Sequence, residues 1–88
     1  MAGYQVELSH KAVKQFLDLG ATVQDRIRAK IDALAEEPRP RGCEKLEGMK
    51  ASYRVRVGDY RIVYAVSDEL RTVEVVRIAN RRDVYKRL

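Results

Sequence analysis

Three arginines bracket a single turn: Arg54 and Arg56 precede Gly58-Asp59, and Arg61 follows it. Apolar residues take the alternate positions, with Tyr53, Val55 and Val57 before the turn and Tyr60, Ile62 and Tyr64 after it. This period of two predicts two strands whose side chains alternate between faces. Glycine followed by aspartate suits a two-residue hairpin turn with the left-handed residue first. That turn sets the register: Val57 faces Tyr60, Arg56 faces Arg61, Val55 faces Ile62 and Tyr53 faces Tyr64. The arginines then share one face, and two of them stand directly opposed. Like charges in that position destabilise a ladder. An anion relieves the repulsion, and the guanidinium fork matches phosphate oxygens bidentately. The bland alternative is a solvated strand face with its arginines paired to Glu7 or Glu74.

The C-terminal residues extend this group. Ala79-Asn80-Arg81-Arg82-Asp83-Val84-Tyr85 leaves the last predicted strand beside the arginine face. Arg81 or Arg82 could reach the cluster, and Tyr85 offers a hydroxyl or a ring for base stacking. Packing at the edge of the core is the other reading of Tyr85.

The elements that must position these residues follow from periodicity and punctuation. Residues 4–8 alternate as a half-buried strand, and Ser9 is a plausible N-cap. Ala12, Val13, Phe16 and Leu17 repeat with helical spacing over residues 11–19, with Gly20 as the stop. Thr22 and Asp25 resemble a capping box for a second helix. Its stripe is Val23, Ile27, Ile31 and Leu34, and it stops at Pro38. So short a link makes the two helices an antiparallel hairpin. Residues 38–51 are irregular, with a short strand near residues 43–46. Strands follow from Ser52, from 60 to 66 and from 72 to 79, with a turn at 67–71. Residues 83–88 form a short helix or polar tail. The predicted class is α+β: an N-terminal strand, a helical hairpin, then an antiparallel meander with both helices on one face.

Composition bounds the rest. The 88 residues suffice for one domain, 1–88, with one core. Forty-five per cent are hydrophobic, which excludes a disordered chain. No apolar run approaches the ~18 residues of a membrane span, no signal-peptide pattern opens the chain, and the expected location is cytoplasmic. The single cysteine, Cys43, excludes an internal disulfide, and one histidine beside it argues against zinc, so no cofactor or metal is expected. His10 reads as a surface residue. The net charge of +5 is uneven: residues 1–38 carry five Lys/Arg and six Asp/Glu, whereas residues 39–88 carry thirteen and seven. A basic second half points to RNA, DNA or an acidic protein as partner.

Residues 52–64, Ser-Tyr-Arg-Val-Arg-Val-Gly-Asp-Tyr-Arg-Ile-Val-Tyr, and residues 75–85, Val-Val-Arg-Ile-Ala-Asn-Arg-Arg-Asp-Val-Tyr, resemble the RelE/ParE superfamily of bacterial and archaeal toxins. The resemblance spans nearly the whole chain, and the Arg-Arg-Asp-Val-Tyr ending favours the RelE branch. It implies the toxin of a type II toxin–antitoxin pair, a metal-independent endoribonuclease that enters the ribosomal A site and cuts mRNA. In that reaction the ribose 2′-OH attacks the adjacent phosphate, leaving a 2′,3′-cyclic phosphate and a 5′-OH. It further implies a RelB-like antitoxin, the ribosome and mRNA as partners. The alternative is a ParE-type inhibitor of DNA gyrase without RNase activity.

Carried over residue by residue, Arg54 and Arg56 match the family's basic pair, Arg61 its phosphate-binding arginine, Arg81 its C-terminal arginine and Tyr85 its C-terminal tyrosine. Fixed arginines stabilise charge developing on the non-bridging oxygens, the role assigned to Arg61 and Arg81. Tyr85 stacks the base or deprotonates the 2′-OH. Well-known RelE members carry lysines where Arg54 and Arg56 stand. Arginine does not give up its proton, so these two act as electrostatic clamps rather than as a general base. Asn80 replaces a histidine common in relatives. Lys45 and Arg82 are further candidate RNA contacts.

Overall fold

A computed structural model describes residues 3–80. The element order is β1 (Gln5–Leu8), α1 (His10–Leu17), α2 (Ala21–Glu36), β2 (Glu44–Lys45), β3 (Ser52–Val57), β4 (Tyr60–Ser67) and β5 (Thr72–Asn80). The strands form one sheet in the order β1-β5-β4-β3-β2. Among the described residues no helix is long and apolar enough to cross a membrane. The expected helix or tail at 83–88 lies outside the described residues, as do Arg81, Arg82 and Tyr85.

The β3–β4 hairpin has the register that its turn dictates. Val57 pairs with Tyr60, Arg56 with Arg61, Val55 with Ile62 and Tyr53 with Tyr64. Gly58 takes φ +59 while Asp59 is not left-handed, the pattern of a turn with its permissive residue first. Ile62, Tyr64 and Val66 of β4 turn inward with Val55, Val73, Val75 and Ile78. Ile27, Ile31 and Leu34 of α2 and Ala12 of α1 close over them. Side chains buried this fully contribute roughly 1.5–3 kcal/mol each, and among them Ile27, Leu34, Ile62, Val73 and Val75 are sealed from solvent. Tyr64 is sealed too, and its hydroxyl donates to the Pro38 carbonyl at 2.7 Å, anchoring the chain just after α2.

Four details differ from the sequence-based expectation. The sheet is mixed, because β1 lies parallel to β5 in the register Val6–Val73 and Leu8–Val75. Alternation is the same in parallel and antiparallel strands, so the pattern carried no direction. Gly20 is the N-cap of α2 rather than the stop of α1, which ends at Leu17 with Asp18 as its cap. Thr22 accordingly sits inside α2, and among the described residues no side chain caps the N-terminus of that helix. Val13 and Leu17 of the predicted α1 stripe are exposed, since α1 is short and buries mainly Ala12.

The edges are tied by polar side chains. Arg39, just past α2, donates from both Nη atoms to the Asp68 carboxylate at 3.2 and 2.9 Å, and from Nε to the Tyr53 hydroxyl at 2.9 Å. Tyr4 donates to the same carboxylate at 2.6 Å. The Arg39 guanidinium holds Asp68 below the usual carboxylate range, helped by the Tyr4 hydroxyl, and Asp68 in turn raises Arg39. This clamp joins the residue before β1, the α2–β2 link, Tyr53 of β3 and the β4–β5 turn.

Candidate functional site

The helices cover one face of the sheet and leave the other open. Strand parity places Arg54 and Arg56 of β3 and Arg61 of β4 on that open face, since Val55 and Ile62 between them point into the core. β4 is the middle strand of the sheet, and Arg61 is its second residue, just past the hairpin turn. Arg56 is directly opposite it, and Arg54, opposite Val63, is its diagonal neighbour. Diagonal positions are about 7–8 Å apart, within reach of long side chains. A hollow of about 190 Å³ is lined by Gly42, Glu44, Val55 and these three arginines.

The three differ in their partners. Arg54 donates from Nε to Glu44 Oε1 at 2.6 Å, both side chains being partly exposed. The expected carboxylates, Glu7 and Glu74, are not its partners. They face each other across β1 and β5, three and two strands away from β3. Exposed pairs of this kind contribute at most about 1 kcal/mol, so Arg54 can exchange Glu44 for another anion at small cost. Arg56 donates from Nε to the Gly58 carbonyl at 3.3 Å, which folds it back over the turn. Among the described residues neither Arg56 nor Arg61 has a carboxylate partner. The opposed pair is therefore an uncompensated concentration of positive charge, able to bind the two non-bridging oxygens of a phosphodiester.

Not every expected residue joins this group. Lys45 pairs with Tyr53, so parity turns it to the opposite side of the sheet from Arg54, and it lines a separate hollow formed by residues 45–51. Asn80 pairs with Tyr60 and so shares the helix side. His10 is exposed at the start of α1, as expected. Arg81, Arg82 and Tyr85 lie outside the described residues.

Two basic residues that periodicity did not single out lie near the arginines. Arg26 of α2 reaches the hairpin turn: a Cβ placed on Gly58 would stand 3.6 Å from its Nη2. Arg77 of β5 pairs with Val63 and joins the open face. Its parity comes from an irregularity between β4 and β5. Tyr64 pairs with Val75 but Val63 pairs with Arg77, which leaves Val76 as an extra residue. Uninterrupted alternation from Val73 and Val75 would turn Arg77 into the core and Ile78 out. The bulge reverses both, and Ile78 is 3% exposed.

Comparison with known proteins agrees with this arrangement. The family model described as the ParE toxin of the type II toxin–antitoxin system parDE matches residues 6–85. The mRNA interferase toxin RelE of Escherichia coli K12 is 33% identical over 86 residues, covering 93% of this chain and 90% of that protein. The archaeal RelE–RelB complex of Pyrococcus horikoshii OT3 contains a chain that superposes with a TM-score of 0.81 at 31% identity, covering 90% of this chain and 96% of that one. For the intact E. coli RelBE toxin–antitoxin complex the TM-score is 0.78 at 32% identity, with 88% and 95% covered. The family model carries the ParE name, whereas these relatives carry the RelE name. With the fold, the basic hairpin and both kinds of likeness in agreement, this chain belongs to the RelE/ParE superfamily of type II toxin–antitoxin toxins, as a RelE-type member.

Proposed function

We propose that this toxin is a ribosome-dependent endoribonuclease that cleaves mRNA in the A site by internal attack of a ribose 2′-OH. The observation that carries the reading is the opposed pair Arg56 and Arg61 at the turn end of an uncovered sheet face, without carboxylate partners among the described residues. A relative named mRNA interferase supports the same reaction class.

In this reaction the 2′-oxygen bonds to phosphorus, its proton passes to a base, and the bond from phosphorus to the 5′-oxygen breaks as that oxygen gains a proton. Negative charge grows on the non-bridging oxygens during attack. Arg61 and Arg56, held on paired strands, meet that charge without reorganising, which is where fixed donors lower a barrier most. Arg54 and Arg82 hold the flanking backbone, and Arg81 adds a further cation to the phosphate. Tyr85 serves the sugar side, either stacking the base or accepting the 2′-OH proton. Arginine at 54 and 56 keeps its proton throughout, so neither is the base. The reaction needs no metal in this scheme, because the arginines supply the charge a metal would. The partners are an antitoxin of RelB type, the ribosome and mRNA, and the site of action is cytoplasmic.

Incubation with programmed ribosomes, followed by analysis of the RNA ends, tests the proposal. Fragments ending in a 2′,3′-cyclic phosphate, formed in the presence of a chelator, are expected. Uncut mRNA, or fragments bearing a 5′-phosphate, would overturn it.

A further inference from the structure

The bulge at Val76 is held in place by α1. Ser9 Oγ donates to the Val76 carbonyl at 2.8 Å while accepting from the Ala12 N–H, and Gln15 Oε1 accepts from the Ile78 N–H at 2.7 Å. These side chains occupy the backbone groups that the irregular ladder frees on either side of Arg77. The result is a fourth arginine on the open face, where regular alternation would have placed it among Val73, Val75 and Ile62.

Arg77 is diagonal to Arg61, because Arg61 pairs with Ala79 two residues further along β5. Arg61 is thus flanked on both sides: by Arg54 and Arg56 on β3 and by Arg77 on β5. The Arg77 Nε is buried and has no hydrogen-bond partner among the described residues. Glu7 and Glu74 lie toward the other end of the same face, yet neither forms an ion pair with it. A positive group with a buried, unanswered donor is costly to keep unless an anion answers it in the working state. Arg77 stands about 7–8 Å from Arg61 along the diagonal and two strands away from Arg56, outside the hollow that Arg54, Arg56 and Arg61 line, which suits it to a neighbouring phosphate.

We infer that Arg77 is a second phosphate anchor, binding the RNA phosphate next to the one held by Arg56 and Arg61, and that the α1-braced bulge exists on this strand to aim it. This rests on the RNA-cleaving reading above. The RNA then crosses three strands, from β3 over β4 to β5, and Glu7 and Glu74 bound its path by repulsion.

Fluorescence anisotropy of a short single-stranded RNA across a salt series tests the anchor. Each phosphate contact contributes about 0.7 to the slope of log affinity against log salt for single strands. Arg77→Gln is expected to weaken binding irrespective of sequence and to lower the slope by about 0.7, with an unchanged melting profile. Arg77→Lys restores the slope, and Arg28→Gln on α2 leaves it at the wild-type value. An Arg77→Gln slope equal to wild type, in a protein that still cuts mRNA on ribosomes, overturns the anchor alone. The predicted loss of slope, where the wild-type protein cuts no mRNA on ribosomes, upholds the anchor and overturns cleavage. A wild-type protein that binds no free RNA overturns the anchor, and cleavage is then decided by the ribosome assay alone.

Discussion

Arg56 and Arg61 face each other across the β3–β4 ladder with no carboxylate between them among the described residues. Directly opposed like charges cost a sheet a few tenths of a kcal/mol up to about 1 kcal/mol. The hairpin therefore carries a small standing penalty at the place where phosphate is proposed to bind. Stability and activity should separate there. Arg61→Gln is expected to melt at or slightly above the wild-type temperature while cleavage falls about 10²- to 10³-fold. Calorimetry together with single-turnover cleavage checks both halves.

Tyr64 anchors the α2–β2 link from inside the core. Its hydroxyl is buried and bonded to the Pro38 carbonyl, and burial pushes its pKa upward, with nearby Cys43 adding to the shift. Tyr64→Phe keeps the ring stacked on Tyr53, at 5.8 Å between centroids, but leaves the carbonyl unanswered. A loss of about 1–2 kcal/mol is expected in urea unfolding, with the slope of the transition unchanged.

Asp68 makes the clamp acid-sensitive. Its carboxyl titrates below the ordinary 3.8 in the folded chain because Arg39, and then Tyr4, favour the charged form. A depressed carboxylate contributes stability above its unfolded pKa and loses it as pH falls through the folded value. Melting temperature should therefore drop as pH falls below about 4. Asp68→Asn should be less stable at neutral pH and lose less on acidification. Parallel wild-type and variant curves would assign the acid sensitivity to other groups.

Gln15 reports on the bulge. Gln15→Ala leaves the Ile78 N–H without its acceptor, an expected cost of about 1–3 kcal/mol. If the bulge aims Arg77, the same variant should also weaken RNA binding. Loss of stability with unchanged RNA affinity would show that Arg77 does not depend on this brace.

The hairpin was legible because its turn chemistry is local: Gly58-Asp59 fixes the pairing, and pairing fixes which arginines meet. The residues whose position depends on distant strands were not. A two-residue strand such as β2 has no periodicity of its own, so Lys45 landed on the helix side and Glu44, not Glu7 or Glu74, became the partner of Arg54. The direction of β1 depends on how the helices return the chain, which alternation does not encode. Arg77 was hidden for a sharper reason. One extra residue at Val76 inverts strand parity downstream, and its signals, Ser9 and Gln15, lie more than sixty positions earlier in the chain. The roles of Arg81, Arg82 and Tyr85 rest on the resemblance and on their position after β5.

Primer extension on mRNA in a translating extract tests the central claim most directly. The account predicts cuts inside the reading frame at codon positions, dependent on translation and lost in Arg61→Ala. Intact mRNA accompanied by trapped gyrase–DNA cleavage complexes would contradict it and assign this fold to the gyrase-inhibiting branch.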